Sequence, residues 1–190
     1  MTEPYRSLHS LTHCFLIATS NVRDPYFHNS VVYLFDYNKK GSMGVIINKP
    51  SPLRMEHLFK AIDKESPAQF QDSWLLLGGP MQIDRGFLVH TPIGNWESSL
   101  VVNNEVAVTT SRDIIESLLN NNSSIKSLAT IGYSAWAAGQ LEEELNNNDW
   151  IVTPADLSIL FDMPYHQRYT AALKALGIKP HSLVAEIGHA

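Results

Sequence analysis

The sequence predicts an α+β protein, an α/β sandwich in which a mixed, largely antiparallel β-sheet carries flanking helices in a single compact domain. The 190 residues, 44% hydrophobic and 17% charged, suit one soluble globular domain and exclude intrinsic disorder and coiled coils. Short runs of β-branched and aromatic residues dominate the first two thirds of the chain, and helical signals gather after them. We place the domain at residues 13–190, after a polar N-terminal extension at 1–12.

Apolar runs between turn residues predict the strands. Residues 31–35 and 43–47 should pair as an antiparallel hairpin, because Gly41 between them can adopt positive φ at little cost. Both runs lack polar alternation, which indicates strands covered on both faces in the middle of the sheet. The predicted strands lie at 15–18, 31–35, 43–47, 74–77, 87–89, 100–102, 106–108, 128–131 and 150–152.

Capping residues and apolar periodicity predict the helices. Thr110 and Asp113 have the spacing of a capping box, which predicts a helix that ends at the asparagines 120–122. Ser134 is predicted to cap a second helix, on which Glu142, Glu143 and Glu144 face solvent. The other predictions are a third helix opened by Thr153 and Pro154, a fourth over about 165–177, a weaker one over 53–62 and a single turn at Asp24.

Charge and cysteine content restrict the compartment and the partners. Fourteen basic against nineteen acidic residues give a formal net charge of −5, which argues against direct binding of nucleic acid. The single cysteine, Cys14, cannot form an internal disulfide and fits a reducing compartment. We find neither a secretory signal peptide nor a membrane-spanning segment in the sequence. A cytoplasmic location without membrane contact is therefore expected.

One motif resembles the nucleophile elbow of hydrolases. Residues 132–136 read G-Y-S-A-W, so Trp136 stands where the G-x-S-x-G pattern has its final glycine. A cap at the start of a helix explains Ser134 better than a nucleophile does, although the nucleophile remains the alternative. The sequence contains no phosphate-binding glycine loop and no H-E-x-x-H pattern, so neither a cofactor nor a metal site is expected.

Glycine, charge and imidazole are concentrated in residues 78–92. Asp84, Arg85 and His90 could bind an anion or perform acid–base chemistry, since the pKa of histidine lies near neutrality. The alternative, which we favour, is a hairpin in which Arg85 pairs with a carboxylate and His90 ends a strand.

An ordered series of motifs extends over nearly the whole chain. They are H-C-F-L-I-A at 13–18, D-P-x-F at 24–27, G-V-I-I-N-K-P at 44–50, G-G-P at 78–80, D-R-G-F at 84–87, H-T-P at 90–92, T-T-S-R-D at 109–113, G-Y-x-x-W at 132–136, G-Q-L-E at 139–142, Trp150, P-A-D at 154–156 and G-H-A at 188–190. In order and spacing the chain resembles the AlgH/YqgE family of bacterial proteins. The resemblance implies a cytoplasmic α/β sandwich with no established enzymatic activity, cofactor or catalytic residue, and the family's name comes from a proposed regulatory role.

The motif density without a complete catalytic set predicts a non-catalytic binding or regulatory module. A surface cleft near the 78–92 hairpin, Thr110 and Gly132 would receive a protein segment or a small ligand, on a monomer or weak homo-oligomer. The candidate contacts are Arg85, His90, Arg112, Asp113 and Trp136.

Two alternatives remain open. The first is a hydrolase that uses His90 with Asp84 and Arg85, or Ser134 with a distant base. The second is a DNA-binding transcriptional regulator, for which Lys39 and Lys40 are the only adjacent basic residues.

Overall fold

The computed structural model describes residues 10–120 and 124–179, in which ten strands form a curled sheet. The strands are β1 (Cys14–Ala18), β2 (Val31–Asn38), β3 (Gly41–Ile46), β4 (Pro50–Arg54), β5 (Trp74–Leu77), β6 (Met81–Thr91), β7 (Ser99–Val101), β8 (Ala107–Thr109), β9 (Lys126–Ala137) and β10 (Trp150–Pro154).

Helices fill the connections and lie against the sheet. They are α1 (Glu56–Lys60), α2 (Arg112–Ser117), α3 (Gln140–Asn146) and α4 (Arg168–Ala175), with 3₁₀ turns at Ala68–Phe70 and Tyr165–Gln167 and a π-helical turn at Ser158–Asp162. None of the helices in the described parts of the chain has the length and apolar character needed to cross a membrane.

Strand β9 joins the two halves of the sheet. The strands run in the order β10, β1, β2, β3, β9, β6, β8 and β7, and β5 pairs with both β9 and β4. Residues 134–137 of β9 pair with β3, whereas residues 126–131 pair with β6. Only the pairing of β5 with β9 is parallel within the described residues. The predicted α+β class, with its mixed and largely antiparallel sheet, is confirmed.

Three apolar clusters hold these elements together. The first contains side chains from both halves of the sheet, such as Tyr33 and Phe87, together with Leu173 of α4. The second packs α3 against β1 and β2, and the third packs α1 and α2 against β5 and β9. Since the runs at 31–35 and 43–47 contribute alternate residues to the first and second clusters, they are apolar on both faces, as predicted, and β1 shows the same pattern.

Several predicted elements are confirmed. Lys39 and Lys40 connect β2 to β3 in an antiparallel hairpin, with Asn38 opposite Gly41. The helix predicted after Thr110 is α2, although its N-cap is Ser111, and the fourth helix is α4. The weak helix over 53–62 shortens to α1.

The prediction that Ser134 caps a helix is wrong. Residues 126–137 form one continuous strand, and α3 begins only after Gly139. Ser134 and Trp136 are buried while Ala135 between them is exposed, which is the two-residue period of a strand. Ser134 instead donates its hydroxyl hydrogen to the carbonyl oxygen of Gly78, at 2.9 Å.

Two further predictions are corrected. Pro154 ends β10 rather than opening a helix, and Asp156 caps the following π-helical turn by accepting from the backbone N–H of Ser158 at 2.7 Å. The interpretation of Glu142, Glu143 and Glu144 as a solvated face holds only for Glu143. Glu142 accepts a hydrogen bond from the Tyr37 hydroxyl, and Glu144 accepts from two tryptophan indoles.

The predicted extension and the C-terminal end of the predicted domain lie partly outside the described residues. Residues 1–9 of the proposed extension and the G-H-A motif at 188–190 are outside them. Leu11, which was assigned to the extension, is buried in the second apolar cluster.

Candidate functional site

A cleft opens where the two halves of the sheet face each other. It has a volume of about 350 Å³ and lies beside Arg85, so we call it the Arg85 cleft. Its walls come from six strands, which belong to both halves of the sheet, and from the residues that flank them. The lining residues are Phe35, Met43, Gln82, Arg85, Phe87, Ser98, Ser99, Leu100, Val108, Thr110 and Tyr133.

The cleft has an apolar floor and a polar mouth. Phe87 and Val108 are buried in the first apolar cluster, and the ring of Tyr133 packs on Phe87 with 5.1 Å between centroids. Arg85 is exposed and donates from Nη2 to the hydroxyl oxygen of Thr110 at 2.9 Å. The prediction that Arg85 pairs with a carboxylate is therefore wrong for the described residues, where the guanidinium of Arg85 donates its hydrogen bond to a hydroxyl. The cleft thus offers an apolar floor with a guanidinium at its mouth.

Gln82 is a residue of the cleft that sequence reasoning missed. Its φ is +45°, a left-handed conformation that is uncommon for a residue other than glycine. Met81 pairs with Tyr133 of β9, but the register then shifts before Gly86, so residues 82–85 of β6 bulge away from the partner strand. Ile83 is exposed within this stretch and Met81 is exposed just before it. The alternation of apolar and polar residues over 81–84 is the signal that could have placed the start of β6 here.

Asp113 and Arg112 lie on α2, and the Asp113 carboxylate is bonded internally. It accepts hydrogen bonds from the Ser111 hydroxyl at 2.5 Å and from the backbone N–H of Glu97 at 2.8 Å. Burial acts to raise the pKa of Asp113, but these hydrogen bonds and that from the N–H of Ile114 lower it below its ordinary value. Arg112 is exposed and does not line the Arg85 cleft.

His90 is fully buried, behind the cleft. Its Nδ1 lies 3.0 Å from the carbonyl oxygen of Pro92, which can only accept, so Nδ1 carries the proton. Its Nε2 then accepts from the Thr109 hydroxyl at 2.8 Å, and Thr109 is in turn 2.5 Å from the Ser99 hydroxyl. A chain of hydrogen bonds therefore links His90 to Ser99, which lines the Arg85 cleft. Ser134, the nucleophile that the sequence suggested as an alternative, is also fully buried.

The burial of His90 predicts a pH-dependent stability. Burial lowers the pKa of His90 below that of an exposed histidine, so the folded state stays neutral while the unfolded state takes up a proton below pH ~6.5. The folded state therefore has its full stability, as far as His90 is concerned, above pH ~6.5, and this stability is lost as pH falls below that value. We expect the free energy of unfolding to decrease by about 1 kcal/mol from this group between pH 7.5 and 5.5.

Urea denaturation of the wild type and of His90→Gln at the two pH values measures this contribution. His13, the pKa of which burial also lowers, remains in both proteins and cancels from the difference. The variant should be less stable at pH 7.5 but lose less stability on acidification. An equal loss of stability in both proteins would show that the pKa of His90 is the same in the folded and unfolded states.

Trp136 lies in a different pocket from Arg85. This pocket has a volume of about 300 Å³, and its walls include Trp136, Trp150 and Glu144. Trp136 is buried in the second apolar cluster, on the face of β9 opposite Tyr133.

Of the five candidate contacts, the structure thus places only Arg85 in the cleft, with His90 behind it and the others elsewhere. Within residues 10–120 and 124–179, no three histidine, cysteine or acidic side chains are grouped closely enough to hold a metal ion.

The fold and the cleft define an α+β protein with a sheet bent about one long strand and a groove between its halves. Residues 15–181 match the model of the DUF179 family, which is described as AlgH-like. The chain belongs to this AlgH-like family, as the order of its motifs predicted.

Relatives and solved structures agree with this assignment. The chain is 47% identical over 181 residues to a UPF0301 protein of Neisseria meningitidis serogroup C, covering 95% of this chain and all of that protein. It is 40% identical to the AlgH protein of Pseudomonas aeruginosa, whose solution structure superposes with a TM-score of 0.78 over 96% of this chain and 97% of that one. A crystal structure from Corynebacterium diphtheriae, 20% identical with a TM-score of 0.69 over 90% and 88%, shares the fold.

Proposed function

We propose that the protein is a non-catalytic binding module in which the Arg85 cleft and the adjacent edge of β7 receive an extended segment of a partner protein. The segment would add to β7 as a further strand and insert a side chain into the cleft. Binding of this kind would serve the cytoplasmic regulatory role that the family resemblance implies. The net charge of −5 argues against nucleic acid as the partner.

The unprotected edge of β7 carries the proposal. Within the described residues β7 pairs only with β8, so its other edge presents free backbone groups. Natural sheets protect such edges by keeping the strand short or by placing charged residues or proline on it. Strand β7 is short, but its sequence, Ser99, Leu100 and Val101, contains no charged residue and no proline. Val101 is 59% exposed. An uncharged, apolar edge is the surface that β-strand addition requires.

Exposed apolar side chains are concentrated on two of the strands that form the cleft, and one of them, Leu100, lines the cleft itself. In the described residues, four of the six large hydrophobic side chains that are exposed lie on β6 and β7. They are Met81, Ile83, Leu100 and Val101. Surface hydrophobic residues scattered singly need no explanation, but a concentration beside a cleft is typical of a binding surface.

The cleft also indicates the chemistry of the segment. Its apolar floor suits an aliphatic or aromatic side chain, and Arg85 at the mouth suits an acidic residue beside it, since a guanidinium binds a carboxylate strongly. We therefore expect β-branched residues that pair with β7, one large apolar residue and an acidic neighbour.

Selection of a random linear peptide library on the immobilised full chain tests the proposal. Enriched peptides should have the composition given above, and fluorescence anisotropy should show that Val101→Lys weakens the best of them at least about tenfold, because a lysine blocks strand addition at an edge. Leu176→Lys is the matched control, since Leu176 is also an exposed apolar residue but lies at the end of α4. Both substitutions should change stability by less than about 0.5 kcal/mol.

Three results would contradict the proposal. Selection could enrich no peptide, or the two variants could bind the selected peptide equally. Sedimentation could also show that the wild type forms a dimer that Val101→Lys dissociates, and a second copy of the chain would then occupy the edge.

A further inference from the structure

We infer that a second cavity, lined by Arg168, binds a small organic carboxylate with a flat apolar body. This cavity, the Arg168 pocket, has a volume of about 280 Å³ and shares no lining residue with the Arg85 cleft. Its walls include Phe70, Trp74, Ser127, Phe161 and Tyr165. The inference goes beyond the proposed function and does not depend on it.

Arg168 is a buried cation without a counter-ion in the described residues. Only 7% of the residue is exposed, and neither an ion pair nor a carboxylate hydrogen bond of its guanidinium is present there. Burial alone lowers the pKa of Arg168, to about 10, and no acidic group offsets it. A buried charge is costly unless it is paired, so its retention here requires an explanation.

The guanidinium is held in place by backbone carbonyls. Nε donates to the carbonyl oxygen of Met163 at 3.0 Å, and Nη1 donates to that of Ile47 at 2.5 Å. Nη2 donates to no protein atom within residues 10–120 and 124–179, and it is not among the fully enclosed unpaired atoms. A donor held in place by the two backbone hydrogen bonds therefore remains on a residue that lines the cavity, which lowers the cost of ordering on binding.

The surroundings of Arg168 select the class of ligand. The aromatic walls favour a flat apolar body, and the hydroxyls of Ser73 and Ser127 can hydrogen bond to a second oxygen of the bound group. A carboxylate carries one negative charge and neutralises the single cation. A phosphate dianion would leave net negative charge in the cavity, because Arg168 is the one lysine or arginine among the described lining residues and Asp72 at the margin pairs with Arg54 at 3.8 Å.

Titration of the ¹⁵N-labelled full chain with sodium benzoate tests the inference, with benzamide as the neutral isostere and phenyl phosphate as the dianion. We expect benzoate to shift the backbone amide signals of Ser127, Ala129 and Tyr165 and to show nuclear Overhauser contacts with the Met163 methyl group. Benzoate should bind at least about tenfold more tightly than benzamide, because a charge-assisted hydrogen bond is stronger than a neutral one. Phenyl phosphate should bind more weakly than benzoate.

Two variants examine the role of Arg168. Arg168→Gln should reduce the affinity for benzoate to that for benzamide. Since this variant loses structural hydrogen bonds, Ser127→Phe provides a test that leaves Arg168 in place, because the larger side chain fills the cavity. Thr170→Phe, at an exposed position of α4, is its control and should bind benzoate as the wild type does. Equal binding of benzoate and benzamide, signal changes confined to other surfaces, or unchanged binding by Ser127→Phe would overturn the inference.

Discussion

Replacement of Gly132 by alanine is expected to lower the free energy of unfolding by about 3 to 5 kcal/mol, from left-handed strain plus steric overlap. Gly132 has a φ of +70°, and a Cβ atom there would lie 2.5 Å from the carbonyl oxygen of Gly79 and 2.8 Å from that of Met81. Both obstructing atoms belong to the backbone, so no side chain can rotate away to accept the methyl group. Urea denaturation followed by tryptophan fluorescence measures the change.

Gly139→Ala is the matched control for this substitution. Gly139 has a φ of +80°, but a Cβ atom there would meet nothing within 4 Å. Its replacement adds only left-handed strain, about 1 to 2 kcal/mol. Equal destabilisation by the two variants would show that the backbone at the bend of β9 can move aside, and that the close approach to Gly79 does not determine the fold.

The close approach also explains a motif that the sequence presents without a reason. The end of β5 passes so near to β9 that a Cβ atom on Gly78 would lie 2.2 Å from the carbonyl oxygen of Gly132. The G-G-P motif and the glycine of G-Y-x-x-W are thus two sides of one backbone contact. In this structure their glycines allow the two backbones to approach closely where the halves of the sheet meet, and they belong neither to a nucleophile elbow nor to a phosphate-binding loop.

Sequence patterns predicted the elements whose burial is continuous or strictly periodic. Strands β2 and β3 were predicted because each is an apolar run that two clusters cover, and the hairpin between them depends on local turn residues alone. The end of β9 was missed because glycine, serine and alanine, which carry little strand preference, occupy three of the four positions 132–135 and leave only Tyr133 to favour a strand. What makes this segment a strand is its pairing with β3, a partner about ninety residues earlier in the chain, which no local window contains.

In the candidate site, too, local sequence identified some residues, while others depend on pairing between distant strands. Arg85 was identified from its own neighbourhood in the sequence, and it does line the cleft. Met43 and Tyr133 were missed, since only the register of β3 and β6 against β9 brings them to Arg85. The burial of Arg168 likewise depends on contacts with Ile47, a residue remote in sequence. Residue type can thus suggest a functional group, but tertiary pairing decides which groups meet.

Glu144→Ala should lower the free energy of unfolding by about 2 to 4 kcal/mol, because it leaves two largely buried indole N–H groups without their acceptor. Glu144 Oε2 accepts from Nε1 of Trp136 at 2.8 Å and from Nε1 of Trp150 at 2.7 Å. The other oxygen, Oε1, accepts from Nε2 of Gln140 at 3.0 Å. One carboxylate thus ties α3 to both β9 and β10. Urea denaturation gives the stability, and indole N–H exchange with solvent reports on the two hydrogen bonds.

Glu143→Ala is the control, since Glu143 is exposed on the same helix and its loss should change stability by less than about 0.5 kcal/mol. A second readout comes from Asp149, whose pKa is raised by burial and then by the negative charge of Glu144. Removal of that charge in Glu144→Ala should lower the pKa of Asp149 toward its ordinary value, as carboxyl NMR titration can measure. Equal stability of the two alanine variants would mean that water replaces the carboxylate beside the indoles of Trp136 and Trp150. An unchanged pKa of Asp149 would mean that burial alone raises it.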